Sequence, residues 1–270
     1  MSPIANARMY AVTPEAEAAW EALFARVAAD AGVPLAYEAH PAPKPLDLLW
    51  RRPDLGAAFM CGFPIALGLA AVVPLAAPVP DAPWAGGRGL YRSDFVVRAE
   101  APFRRLEDTF GGTIGWTVAH SHSGFNAPRH HLLPFRRAAG APLFSASLGD
   151  LVTARAIVDA VLDGRIDVGP LDGYWHLLLR RHRPDIADRL RIVASTDVAP
   201  LPALVAAPDL GADGAEALRR AFADAAARPW FPPLAEALCL TGFVPVTRAD
   251  YGPTLAWAAE AEAAGYPAPG

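Results

Sequence analysis

At 270 residues and 53% apolar, the chain is long enough for one large domain or two of ordinary size and can bury a substantial core, which excludes a disordered chain. A net charge of −4, with arginine pairs scattered at 51–52, 104–105, 136–137 and 180–181, excludes the clustered basic surface of a nucleic-acid binder. The first ten residues carry neither the basic nor the apolar segment of a secretory leader, and the two cysteines, Cys61 and Cys239, match no metal-binding spacing and read as buried free thiols.

Residues 4–12 read as a strand. Thr13-Pro14-Glu15 then signals a helix start, with a hydroxyl cap, proline at the first helical position and acid in the first turn. Trp20, Leu23, Phe24, Val27 and Ala31 follow at helical spacing until Gly32. A strand over 33–38, a short helix over 46–52 and an apolar strand over 56–60 complete a series that predicts a parallel sheet covered on both faces. The uncharged run 55–80 is broken by Pro64, Pro74 and Pro78, so it reads as buried strands, loop and helix rather than a membrane span.

Further strands are expected over 71–75 and 91–98, separated by Pro- and Gly-rich turns at 78–89. A strand over 113–119 runs into a helix starting near 125. Next come a helix over 153–162 ended by Gly164, a short strand over 166–168, a turn at 169–172, a helix over 174–181 and a strand over 190–194. Helices near 214–227, 234–240 and 251–264, with a strand near 243–245, finish the chain. No linker divides the two series. They predict two interleaved lobes, 1–93 with 197–270 as the first and 94–196 as the second, with the C-terminal helices returning to the first.

The sharpest local feature is Ser121-His122-Ser123-Gly124-Phe125-Asn126, which follows an apolar strand and opens a helix. Ligands of α/β sheets bind at the carboxyl ends of strands. Two serine hydroxyls and helix-opening N–H groups suit a cluster of anionic oxygens, and Gly124 lets backbone approach closely. The plain alternative is Ser123 as an ordinary N-cap. Thr153 either caps its helix or aims N–H groups at the same cleft. Asp172, before Gly173 and Tyr174, either holds a ligand amine or hydroxyl or caps the following helix. Cys61-Gly62-Phe63-Pro64 is another loop directly after a strand, and Tyr10 and Tyr91 are candidates to line the same cavity. His120, His122, His130 and His131 are concentrated but fit no zinc signature, and there is no G-x-S-x-G elbow.

Together these segments resemble the phosphate/phosphite/phosphonate substrate-binding proteins of ABC transporters. That family's helix-opening Ser-Thr-Ser-Gly, which grips the phosphonate group, corresponds to Ser121-His122-Ser123-Gly124, with histidine in place of threonine. Its Leu-Trp-x-x-Pro-Asp-Leu is similar to Leu49-Trp50-Arg51-Arg52-Pro53-Asp54-Leu55, and its Cys-Gly-aromatic-Pro to the segment from Cys61 to Pro64. Its Gly-x-x-Asp-Val…Asp run is similar to Gly164-Arg165-Ile166-Asp167-Val168 with Asp172, and its Thr-Gly-Phe-Val-Pro to Thr241 through Pro245. Where many members open a helix with Gly-Ser-His, this chain has Val152-Thr153-Ala154.

The resemblance implies an α/β, two-lobed fold like the type 2 periplasmic binding proteins. Each lobe is expected to be a mainly parallel sheet flanked by helices, with a two-stranded hinge and a ligand cleft between the lobes. It implies a monomeric, non-catalytic protein without metal or cofactor, working in the periplasm, which captures a small anion for an ABC transporter permease. The expected ligand-binding residues are Tyr10, Phe63 and Tyr91 from the first lobe, with Ser121, His122, Ser123, Asn126, Thr153, Asp172 and Tyr174 from the second. The absence of a leader leaves open a cytoplasmic enzyme on the same fold, of the menaquinone- or thiamine-pyrimidine-biosynthesis kind, using the His-rich segment, or a ligand-sensing domain.

Overall fold

The chain begins with β1 (Ile4–Asn6), α1 (Pro14–Ala31), β2 (Ala36–Tyr37), α2 (Leu46–Trp50), β3 (Leu55–Met60), α3 (Gly62–Leu67), β4 (Val73–Pro80) and β5 (Leu90–Tyr91). It continues through β6 (Ser93–Arg98), β7 (Thr113–Gly115), a π-helical turn (His122–Asn126), α4 (Ala127–Ala139), β8 (Ala146–Leu148), α5 (Ala154–Leu162), β9 (Gly169–Asp172), α6 (Gly173–His182), α7 (Pro184–Ala187) and β10 (Leu190–Ser195). It ends with β11 (Ala199–Pro200), β12 (Ala203–Ala206), α8 (Gly211–Ala223), α9 (Phe231–Leu238), β13 (Leu240–Pro245) and α10 (Gly252–Ala263). The computed structural model describes residues 2–270; Met1, the first residue of the segment read for a leader, lies outside them. Two units form, 1–91 with 200–252 and 92–199 with 253–270. β5 and β11 pair as a two-stranded sheet. No helix among the described residues is long and apolar enough to cross a membrane.

In the first unit the α1 signals act as written. The Thr13 hydroxyl accepts the Ala16 N–H at 3.3 Å, and Gly32, at φ 65°, closes the helix in the left-handed region. Trp20, Leu23, Phe24 and Val27 are fully buried along one face, each contributing about 2 kcal/mol of apolar burial. Trp20 and Tyr10 both meet Phe59 of β3 edge to face, with centroids 4.9 and 4.8 Å apart. β3 is buried at all six positions, as a strand covered on both faces must be.

The strand order is β13-β4-β12-β3-β1-β2. β2, β1 and β3 are parallel neighbours, whereas β12 runs antiparallel to both β3 and β4, and β13 antiparallel to β4. The sheet is therefore mixed, where the sequence predicts a mainly parallel one. Helix crossovers turn the chain back to run parallel. β12 has no such crossover, because it follows β11 after only two residues and enters against its neighbours.

β4 extends to Pro80, through residues the sequence assigns to turns. Its prolines fall at 74, 78 and 80, so their missing N–H groups lie on one flank, while the odd positions face β13, as the Val246 N–H donated to the Leu75 carbonyl shows. The pairing with β12 begins at Leu204 opposite Ala76 and ends at Ala206 opposite Val73, so it does not reach Pro78 or Pro80, and Pro74 sits at the register shift of that pair.

The second unit is also mixed. β6 is antiparallel to both β10 and β9, β7 pairs with β8 in parallel, and Ile114 bridges Val168 in parallel. The strand placed over 166–168 falls instead at β9, whose Pro170 is tolerated because β9 is the edge of the β10-β6-β9 sheet. The 253–270 segment, expected with the first lobe, groups with the second unit. Its ties are specific: Asn126 Nδ2 donates to the Thr254 carbonyl at 2.8 Å, and Arg129 Nη1 to the Pro267 carbonyl at 3.2 Å. Cys61 is buried as expected, but Cys239 is only half-buried.

Candidate functional site

The helix after β7 opens on Ser121, not Ser123. Ser121 is extended, its hydroxyl oxygen accepts the Gly124 N–H at 3.0 Å, and its carbonyl accepts the Asn126 N–H at 3.0 Å. The resulting five-residue π turn feeds α4 and is buried throughout. Such wide turns recur at functional sites because they redirect side chains that a regular helix would stack. Because Ser121 does the capping, the Ser123 hydroxyl is available for other work. It donates to Asp172 Oδ2 at 3.4 Å.

Asp172 fulfils one of its two readings fully. Its Oδ1 accepts the N–H groups of Tyr174 at 2.9 Å and Trp175 at 3.0 Å, capping α6. The second oxygen faces Ser123, so one carboxylate links a helix start to the π turn. Ser121, His122, Ser123, Asn126 and Asp172 are thus brought together, with Tyr174 fully buried at the start of α6. Thr153 takes its plain role: its hydroxyl accepts the Ala156 N–H at 3.1 Å and caps α5.

Gly124 is required by its own chain. A Cβ there would lie 2.0 Å from Thr117 Oγ1 and 2.9 Å from Thr117 Cβ, and Thr117 N–H donates to the Gly124 carbonyl at 3.2 Å. The close approach is therefore between the turn and the segment leaving β7. Gly62 is constrained in the same way, its Cβ position lying 2.3 Å from the Tyr251 ring.

His122 is fully buried, and burial, with the nearby His130, pushes its imidazole down to about 3. It stays neutral at physiological pH. Its Nδ1 accepts from Asn126 Nδ2 at 3.2 Å, and its ring stacks on Trp257 of α10 at 5.2 Å. Arg129 Nη2 donates to Asn126 Oδ1 at 3.4 Å, and its guanidinium lies 5.0 Å over the Phe125 ring. Sequence reading misses Trp257, Thr254 and Thr117. Nothing local marks them; α10 is nearly 130 residues from the turn it supports. No group of three or more His, Cys, Asp or Glu among the described residues is placed to hold a metal ion.

A neighbouring network centres on two buried side chains, Asp94 and His176. Asp94 Oδ1 accepts from the Ser195 hydroxyl at 2.7 Å and Arg92 Nε at 3.0 Å, while Oδ2 faces His176 Nδ1 at 3.0 Å. Burial alone would raise the Asp94 carboxyl; the hydrogen bonds from His176 and Ser195 outweigh it and hold it below the usual carboxylate range.

In the first unit, Tyr10 follows β1 and Phe63 follows β3, which are parallel neighbours, so both leave the sheet at its carboxyl edge. Tyr91 is fully buried in β5, with its hydroxyl 3.6 Å from Cys61 Sγ.

The chain belongs to the phosphonate-binding family of ABC transporter periplasmic substrate-binding proteins, whose pattern matches residues 11–251. It is thus a transporter component that binds a small-molecule ligand, not an enzyme. No curated protein sequence matches it. Among solved structures it is similar to a binding-protein component of an ABC phosphonate transporter from Pseudomonas aeruginosa, at 17% identity and a TM-score of 0.80 over 97% of this chain and 87% of that one. It is similar to PhnD1 from Prochlorococcus marinus, solved with methylphosphonate, at 15% identity and a TM-score of 0.77 over 97% and 98%. XAC2383 from Xanthomonas citri, solved with ATP, shares 19% identity at a TM-score of 0.66 over 97% and 98%. These likenesses establish the α/β binding-protein fold.

Proposed function

We propose that the protein captures a small phosphonate-like anion at the 121–126 turn and delivers it, as a periplasmic monomer, to an ABC permease. The observation that carries this reading is the buried π turn whose Ser123 hydroxyl is released from capping and set beside Asp172. Helix-opening N–H groups and hydroxyls supply neutral donors for phosphonate oxygens. Asp172 sets a preference, because its carboxylate repels a fully ionised oxyanion and attracts an ammonium or a protonated oxygen. The favoured ligands are aminoalkylphosphonates and phosphonate monoanions, with sulfate disfavoured. His122, standing where the family pattern has threonine, changes the donor chemistry of the turn without adding charge.

Calorimetric titration with methylphosphonate, 2-aminoethylphosphonate, phosphate, phosphite and sulfate tests the reading. Ser123→Ala removes a hydrogen bond to a charged group, so affinity should fall about tenfold to a hundredfold. Absence of binding by every phosphorus anion, or native affinity in Ser123→Ala, overturns it. Tyr10, Phe63 and Tyr91 form a separate set, probed by Phe63→Ala and Tyr91→Phe in the same titrations.

A further inference from the structure

The C-terminal helix carries contacts to the gripping turn that the transport role leaves unassigned. Asn126 Nδ2 donates both to the Thr254 carbonyl at 2.8 Å and to His122 Nδ1 at 3.2 Å, while Asn126 Oδ1 accepts from Arg129 Nη2 at 3.4 Å. The carbonyl on one side and the guanidinium on the other fix which end of the amide carries the donors. Nδ1 of His122 is therefore an acceptor, and the ring's single proton sits on Nε2.

Trp257 lies three residues beyond Thr254, on the same face of α10. It stacks with His122, centroids 5.2 Å apart and planes at 29°, and with His130 at 4.8 Å and 4°. Glu260, three residues further, places Oε2 3.2 Å from His130 Nε2. His122 precedes Ser123 directly in a turn that is buried throughout, so the packing that seats its ring also constrains the backbone that carries the Ser123 hydroxyl. The charged and titratable groups around it are His130 and Arg129 on α4 and Glu260 on α10, and burial keeps the imidazole neutral among them.

We propose that Trp257 is a positioning residue of the ligand site: with the Thr254 carbonyl acting through Asn126, it holds His122 in one orientation and one tautomer, and so keeps the 121–126 turn in its binding shape before ligand arrives. This rests on the reading of that turn as the anion site. Preorganisation of this kind raises affinity because binding no longer has to order the turn.

The test combines imidazole 15N NMR with calorimetric titration of methylphosphonate, on the native chain, Trp257→Leu and Trp257→Phe. In the native chain His122 should show one protonated nitrogen and one acceptor nitrogen, unchanged between about pH 5 and 8. Trp257→Leu should average the two nitrogens and weaken binding about tenfold, and Trp257→Phe, which keeps an aromatic face, should recover both. Unchanged His122 nitrogens in Trp257→Leu overturn the proposal, whatever happens to binding. Averaged nitrogens with native affinity overturn the link to the ligand. Native affinity in Ser123→Ala instead removes the site reading itself; the nitrogen comparison then still upholds or overturns the hold of Trp257 on His122.

Discussion

Gly124→Ala is the sharpest perturbation available at the turn. The added methyl would stand 2.0 Å from Thr117 Oγ1 and 2.9 Å from both Thr117 Cβ and Cγ2. Thr117 is buried, and its N–H bonds the Gly124 carbonyl at 3.2 Å, so it cannot retreat without breaking that bond. Overpacking of this severity lies at the upper end of its usual range, about 3 kcal/mol. For a chain of this length that is a fall of roughly 6–10 °C in the unfolding temperature, read by circular dichroism. Methylphosphonate affinity should fall with it, because the turn is displaced. Thr117→Ala in the same chain removes the closest contact and the branching methyl, and should restore part of both. If the glycine served ligand approach instead, the double variant would regain stability and stay unable to bind. A Gly124→Ala protein that melts and binds like the native one refutes the packing argument outright.

Two further outcomes follow from the site. Asp172→Ala strips the α6 cap and should cost about 1 kcal/mol, or roughly 2–4 °C, whereas Asp172→Ser keeps a cap and should melt close to native. Both lose the carboxylate and should bind sulfate and 2-aminoethylphosphonate with more equal affinity; identical melting of the two variants would argue against the cap. His122 makes stability pH-dependent: the unfolded chain takes up a proton near the ordinary value of 6.5, which the folded chain, held at about 3, refuses. Its stabilising contribution is fully present above that value and is lost as pH falls from there toward 3, amounting to about 2 kcal/mol between pH 7 and 5. Denaturant titrations of His122→Asn should show a shallower pH slope by that amount, and an equal slope would show that His122 is not held neutral by burial.

Elements with strong local signals are legible in the sequence itself. Thr13, Pro14 and Gly32 bracket α1, Thr153 caps α5 and Asp172 caps α6, because caps are settled by residues within one turn of each other. Strands are harder to read where proline intervenes. Pro78 and Pro80 fall in a stretch that reads as turns, yet they lie with Pro74 in β4, since only the partners' lengths and register show that their missing donors cost nothing. Pro170 in β9 escapes notice for the same reason.

Sequence alone determined the α/β class, the family and the 121–126 motif, since each depends on residue types at short spacing or in fixed order. Which serine caps the turn, why residue 124 must be glycine, and which carboxylate faces Ser123 were settled only by tertiary structure. Thr117, Asp172, Thr254 and Trp257 reach the turn from other elements, and nothing in their own neighbourhoods announces it. The motif states what can grip an anion; long-range packing decides how firmly the grip is held.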